Sequence, residues 1–127
     1  FPGDNRHQAF SEDAFKFLDT MGDQYDLIIL DPPAFAKHKK VLNNALQGYR
    51  KLNAKAFEKI RPGGILFTFS CSQVVSKENF RLAVFSAAAQ SGRNVRILHQ
   101  LTQPADHPVN IYHPEGEYLK GLVLYVE

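Results

Sequence analysis

Hydrophobic positions in this chain follow two patterns that alternate from one end to the other. Ala14, Leu18 and Met21 recur at helical spacing after Ser11, the expected N-cap, with Glu12 and Asp13 in a first turn where carboxylates suit the helix dipole. Tyr25-Asp26-Leu27-Ile28-Ile29-Leu30 is instead a short apolar run that stops at Asp31-Pro32-Pro33, as a strand buried on both faces does. Helical spacing returns from Val41 to Ile60, where Leu42, Leu46, Tyr49, Leu52, Ala56 and Ile60 share a face until Pro62-Gly63-Gly64 breaks the pattern. Ile65 to Ser70 predicts a second buried strand. Ser76 caps a helix with Phe80, Ala83, Val84, Ala87 and Ala88 on one side, stopped by Gly92. Asn94 to Gln100 and Leu119 to Val126 predict two more strands, and Arg6 to Phe10 a short one near the start. Between the last two, Thr102 to Tyr118 is a long connection of the kind that carries function. The order predicts an α/β sheet, mostly parallel, with an antiparallel C-terminal strand and helices on both faces.

Composition narrows the class. A chain of 127 residues with 44% hydrophobic content makes one packed domain at most. Fifteen basic against 13 acidic residues give a net charge of +2, too little to imply nucleic acid, so any such case must rest on local clusters. The single cysteine leaves no disulfide framework and fits a reducing, cytoplasmic setting, and no Cys/His spacing suggests a metal. The longest apolar runs fall far short of the ~20 residues that span a bilayer, and no signal peptide opens the chain, so no membrane partner is expected. The chain begins with Phe1 rather than Met, which reads as an excised or processed piece of something longer. Gly63-Gly64 precedes a strand, whereas a phosphate or dinucleotide loop follows one and opens a helix; it reads as a turn.

In open α/β sheets ligands bind beyond the carboxyl ends of the strands. Two such ends carry chemistry: Asp31-Pro32-Pro33-Ala34-Phe35 after the first buried strand and Ser70-Cys71-Ser72 after the second. A strand-end cysteine alone reads first as a small buried hydrophobe, but beside Asp-Pro-Pro the nucleophilic reading becomes the stronger.

These segments, with Gly48-Tyr49, Asn53, Gly63-Gly64, Asp106-His107-Pro108 and Pro114-Glu115-Gly116-Glu117-Tyr118-Leu119-Lys120-Gly121, occur in an order that resembles the bacterial large-subunit ribosomal RNA cytosine-C5 methyltransferase family over nearly the whole chain. The resemblance implies a Rossmann-like class I methyltransferase sheet, bound S-adenosylmethionine and ribosomal RNA as partner. It makes residues 1–127 the C-terminal part of the catalytic domain, without the glycine-rich loop or the N-terminal RNA-binding PUA domain. It also implies that a first strand is missing beside Tyr25 to Leu30, so that the chain alone self-associates through an exposed sheet edge.

The resemblance assigns roles that the chemistry explains. Carbon 5 of cytosine is a poor nucleophile, so a thiolate adds at carbon 6; Cys71 is the only thiol. Asp31 resembles the carboxylate that steadies the N3 and N4 edge of the pyrimidine. Asp13 and the backbone of Ala14 stand where this class holds adenine, and Asp31 and Pro32 also border the cofactor. Phe35 is a candidate wall for a base, and Lys37, Lys39 and Lys40 are candidate phosphate contacts. The group that removes the C5 proton is open. Some relatives in this chemistry use a second cysteine after the prolines, where this chain has Ala34, and Asp106 or His107 is a candidate instead. Two further readings stand beside this one: an amino-group methyltransferase of the adenine N6 type, which would leave Cys71 without a task, and a non-catalytic RNA-binding or assembly module.

Overall fold

The computed structural model describes residues 2–3, 5–22, 25–35 and 41–127. Helix α1 (Ala14–Thr20) is followed by β1 (Tyr25–Leu30), α2 (Leu42–Lys59), β2 (Ile60–Ser70), α3 (Lys77–Ser91), β3 (Val95–Leu101) and β4 (Lys120–Val126), with one 3-10 turn at Pro114–Gly116 before the last strand. The four strands form one sheet in the order β1-β2-β4-β3. β1 runs parallel to β2, and β4 lies antiparallel between β2 and β3, so three strands share a direction and the last is reversed. This is the expected mixed α/β sheet with its antiparallel end.

Alternation along the strands decides where the helices lie. Ile28, Leu30, Leu66, Leu122, Leu124 and Val126 point to one face, where they join Leu18 of α1, Tyr49, Leu52 and Phe57 of α2, and Phe80 and Val84 of α3 in a single apolar core. The opposite residues of β1, Leu27 and Ile29, are 53% and 61% exposed. Helices were expected on both faces; among the described residues all three cover one. β1 and β3 are the two edges of the sheet.

Three local expectations are corrected. Arg6 to Phe10 does not form a strand: residues 5–6 lie in a turn and 7–10 carry no regular structure. The N-cap of α1 is Asp13, not Ser11, because Asp13 Oδ1 accepts from the amides of Phe15 (2.9 Å) and Lys16 (3.2 Å). Pro62-Gly63-Gly64 does end the α2 pattern, yet β2 already begins at Ile60. The pairing jumps from Tyr25↔Ile60 to Leu27↔Ile65, so the proline and glycines form an irregularity inside the paired region.

Ser76 caps α3 as expected, accepting from Asn79 N, and Gly92 closes it at φ +70°, where a Cβ would be strained. Arg93, directly after, ties the far end of the molecule together. Its guanidinium donates to the carbonyls of Phe57 (2.6 Å) and Ile60 (2.9 Å) at the end of α2 and to that of Glu127 (2.9 Å). A cation there meets the negative end of the helix and three carbonyls at once. Arg93→Met should therefore lower unfolding free energy by about 2–3 kcal/mol, the cost of withdrawing charged donors from half-buried carbonyls. Urea denaturation should show a reduced midpoint with an unchanged slope.

Candidate active site

Parallel pairing of β1 and β2 sets Leu30 beside Thr68, so the segments that leave the two strands emerge at the same end of the sheet. There the Cys71 sulfur lies 4.0 Å from the carbonyl oxygen of Pro32, which brings the Asp31-Pro32-Pro33 segment and the thiol together. Asp31 is exposed and Cys71 half-buried, an arrangement that leaves both open to a ligand.

Tyr49 of α2 holds the two segments in place. It is fully buried, and its hydroxyl accepts a 2.9 Å hydrogen bond from Ser70 Oγ, which in turn accepts from the amide of Ser72 at 3.3 Å. The residues on either side of Cys71 are thereby fixed to α2. The same ring packs edge-on against Phe35 (4.7 Å between centroids) and Phe80 (5.5 Å). Burial pushes the Tyr49 phenol above its ordinary range, with the hydrogen bond from Ser70 opposing the shift.

The residues proposed from sequence fare differently. Phe35 is a packing residue in this structure: it lies against Tyr49, and its ring is 3.4 Å from where a side chain on Gly48 would begin. Asp13 spends one carboxylate oxygen on capping α1. Ala14 lines a cavity of about 590 Å³ together with Phe10, Phe17, Leu27 and Leu30, and this cavity runs along the β1 edge up to the residue before Asp31. Lys37, Lys39 and Lys40 lie outside the described residues. The His107 ring lies 3.8 Å from the carboxylate of its neighbour Asp106, and both are exposed. Among the described residues no group of His, Cys, Asp and Glu could hold a metal, and no helix is long and apolar enough to cross a membrane.

Sequence reasoning missed Lys120. It is 7% exposed, and its ammonium donates to the carbonyls of Ser72 (2.6 Å) and Val75 (2.7 Å), inside the turn that follows Cys71. Burial depresses its pKa, while Cys71 and, after it, Glu117 act in the opposite sense. The signal was present: Lys120 shares the strand face of Leu122, Leu124 and Val126, and a cation in an inward-facing position calls for a partner.

Comparison with known proteins finds relatives by sequence and by fold. The chain is 47% identical over 116 residues to "Ribosomal RNA large subunit methyltransferase I" of Tolumonas auensis, covering 89% of this chain and 29% of that protein. It is 44% identical over 120 residues to the protein of the same name from Aeromonas hydrophila, covering 92% of this chain and 30% of the relative. The chain thus spans less than a third of the length of these curated relatives. Among solved structures it superposes, with a TM-score of 0.72 and 23% identity, on a protein assigned as a methyltransferase and solved in complex with SAH, over 91% of this chain and 30% of that one. The fold is that of a methyltransferase sheet. No protein-family model matches the chain.

The Tyr49 hydroxyl generates a stability prediction. Tyr49→Phe leaves Ser70 without its acceptor and should cost about 1–2 kcal/mol. The raised phenol also makes a contribution that is complete below about pH 10 and is lost as pH rises through the folded-state value, because there the unfolded chain ionises first. The variant should lack that part of the alkaline decline, as measured by denaturation midpoints between about pH 9 and 11.

Proposed function

We propose that this chain is the C-terminal part of the catalytic domain of an S-adenosylmethionine-dependent enzyme that methylates carbon 5 of a cytosine in large-subunit ribosomal RNA. The observation that carries the proposal is the approach of Cys71 to Pro32 in the Asp-Pro-Pro segment, at the end of the sheet where ligands of such folds bind. Identity of 47% to a relative named as a large-subunit ribosomal RNA methyltransferase supports the substrate class.

The cofactor fits the residues present. Beside the β1 end lies a mainly apolar cavity lined by Ala14 and Leu30, with Asp13 and Asp31 adjoining them in the chain and Pro32 next. Asp13, the Ala14 amide and Pro32 would hold S-adenosylmethionine, with Asp31 at its border, and the cofactor supplies a methyl group made electrophilic by its sulfonium.

The chain's own residues handle the pyrimidine. The Cys71 thiolate forms a bond to carbon 6, and the C5–C6 electron pair moves to carbon 5, which can then accept a methyl group. Asp31, exposed and directly before the Pro32 whose carbonyl meets the thiol, steadies the charge that builds on the N3 and N4 edge. Loss of the C5 proton then returns the electron pair to the ring, breaks the S–C6 bond and frees the thiolate. Lys37, Lys39 and Lys40 would meet RNA phosphates. An enzyme working at an amino nitrogen would have no use for Cys71.

The test uses the longer polypeptide proposed here with RNA carrying 5-fluorocytosine, since fluorine does not leave as a proton does. A covalent adduct at Cys71 is expected, and Asp31→Asn should lower turnover about 100-fold without loss of cofactor affinity. Full methylation by a Cys71→Ala variant would overturn the proposal.

The same reading gives β1 a neighbour in the longer protein. In the 127-residue chain β1 is an edge with Leu27 and Ile29 outermost, so the isolated chain should self-associate at micromolar concentration, as read by light scattering. A strict monomer would mean that the segment of Asn5, Arg6, His7, Gln8 and Phe10, which line the adjoining cavity, protects the edge.

A further inference from the structure

Lys120 is the first residue of β4 and pairs across the ladder with Ser70, the residue before Cys71. Its side chain enters the helix-covered face and ends on two carbonyls, Ser72 and Val75, which the Val75 amide already links in a turn (3.3 Å to Ser72 O). An ammonium has three donors, and the described residues account for two of them. Among the described residues no carboxylate is bonded to it. Glu117, which acts on it, is engaged with Lys77 at 2.8 Å on the surface.

A buried cation with only neutral partners in contact is costly, and a methionine would fill the same space without that cost. The remaining beneficiary is the neighbouring sulfur, because Lys120 pairs with Ser70 and binds the carbonyl of Ser72, the two residues that flank Cys71. We propose that Lys120 is a positioning residue for Cys71, clamping the 72–75 turn that follows the thiol and presenting a fixed positive charge to its thiolate. The thiol proton leaves to water; no further bond is made or broken. Among the described residues, the charged and titratable groups around this pair are Tyr49 from α2 and Lys77 with Glu117 at the surface.

The inference rests on Cys71 being the nucleophile, but its test needs neither RNA nor S-adenosylmethionine, so the two can fail separately. Cys71 is the only cysteine, so alkylation of the whole chain by iodoacetamide reads one group. At neutral pH, Lys120→Met should react about tenfold more slowly than wild type. Lys120→Arg, which keeps the cation, should stay within about threefold, and Lys77→Met within about twofold. Circular dichroism and thermal melting confirm that each variant is folded. Wild-type reactivity in folded Lys120→Met overturns the proposal, as does an equal deficit in Lys120→Arg, which a displaced turn alone would give. Should Lys120→Met fail to fold, a tenfold loss in Lys120→Arg would overturn it equally.

Discussion

A hydroxyl-to-hydroxyl hydrogen bond inside the core, from Ser70 to Tyr49, joins the longest helix to the longest strand at the point where that strand ends. A buried polar pair of this kind has little net value compared with well-packed apolar groups, yet leaving either partner alone is costly, so the contact selects one register of helix on sheet. Ser70 also accepts from Ser72 N, and the Tyr49 ring supports Phe35 from the other segment. One side chain thus sets the height of both strand-end segments, and the distance between Pro32 and Cys71 follows from it. If the two segments were held by separate contacts, their relative position would wander with each; sharing Tyr49 removes that freedom.

The sheet has one finished face. All three helices bury their apolar sides on the face of Leu66 and Leu124, while Leu27 and Ile29 remain open on the other. β4 occupies the middle of the sheet, and its residues Lys120 to Leu124 are buried without exception, whereas β3, at the edge, is exposed along most of its length. Stability is therefore concentrated around β2 and β4, which lie between the two edges. The site stands at one end of these strands and Arg93, with its three carbonyls, at the other.

Much of this was legible in the sequence because the patterns are local. Tyr25 to Leu30 is bounded by prolines, Ser76 and Gly92 mark the ends of α3, and the α2 face repeats for five turns. Arg6 to Phe10 failed for a non-local reason: a strand needs a neighbour, and β1 offers the only nearby edge, which this segment does not join. The cap of α1 shifted from Ser11 to Asp13 because both residue types cap well and only backbone geometry chooses between them. Asp31 and Cys71 were legible because they end strands that read clearly. The inward position of Lys120 was legible too, but not its partners, which are backbone carbonyls 45 and 48 residues away and leave no mark in a sequence. The helices missing from the second face belong to the same category: each strand's alternation shows which residues want cover but not what supplies it.

The helix-facing side of β2 changes character along its length. Leu66 is apolar, but Thr68 and Ser70 follow on the same face, and Ser72 and the ammonium of Lys120 lie just past the strand end, all buried. Across from them α2 contributes Tyr49 and Asn53, and Thr68 Oγ1 and Asn53 Oδ1 have no partner among the described protein groups. For stability alone this is the wrong composition, because each buried polar atom gives up water for at most a modest return. Its location supplies the reason. Polar atoms accumulate at the end of the core that faces the thiol, where directional bonds fix a turn to within tenths of an ångström and apolar contacts would let it slide. The core behind them, built on Leu52, Phe57, Leu66 and Leu124, carries the stability that this arrangement gives up.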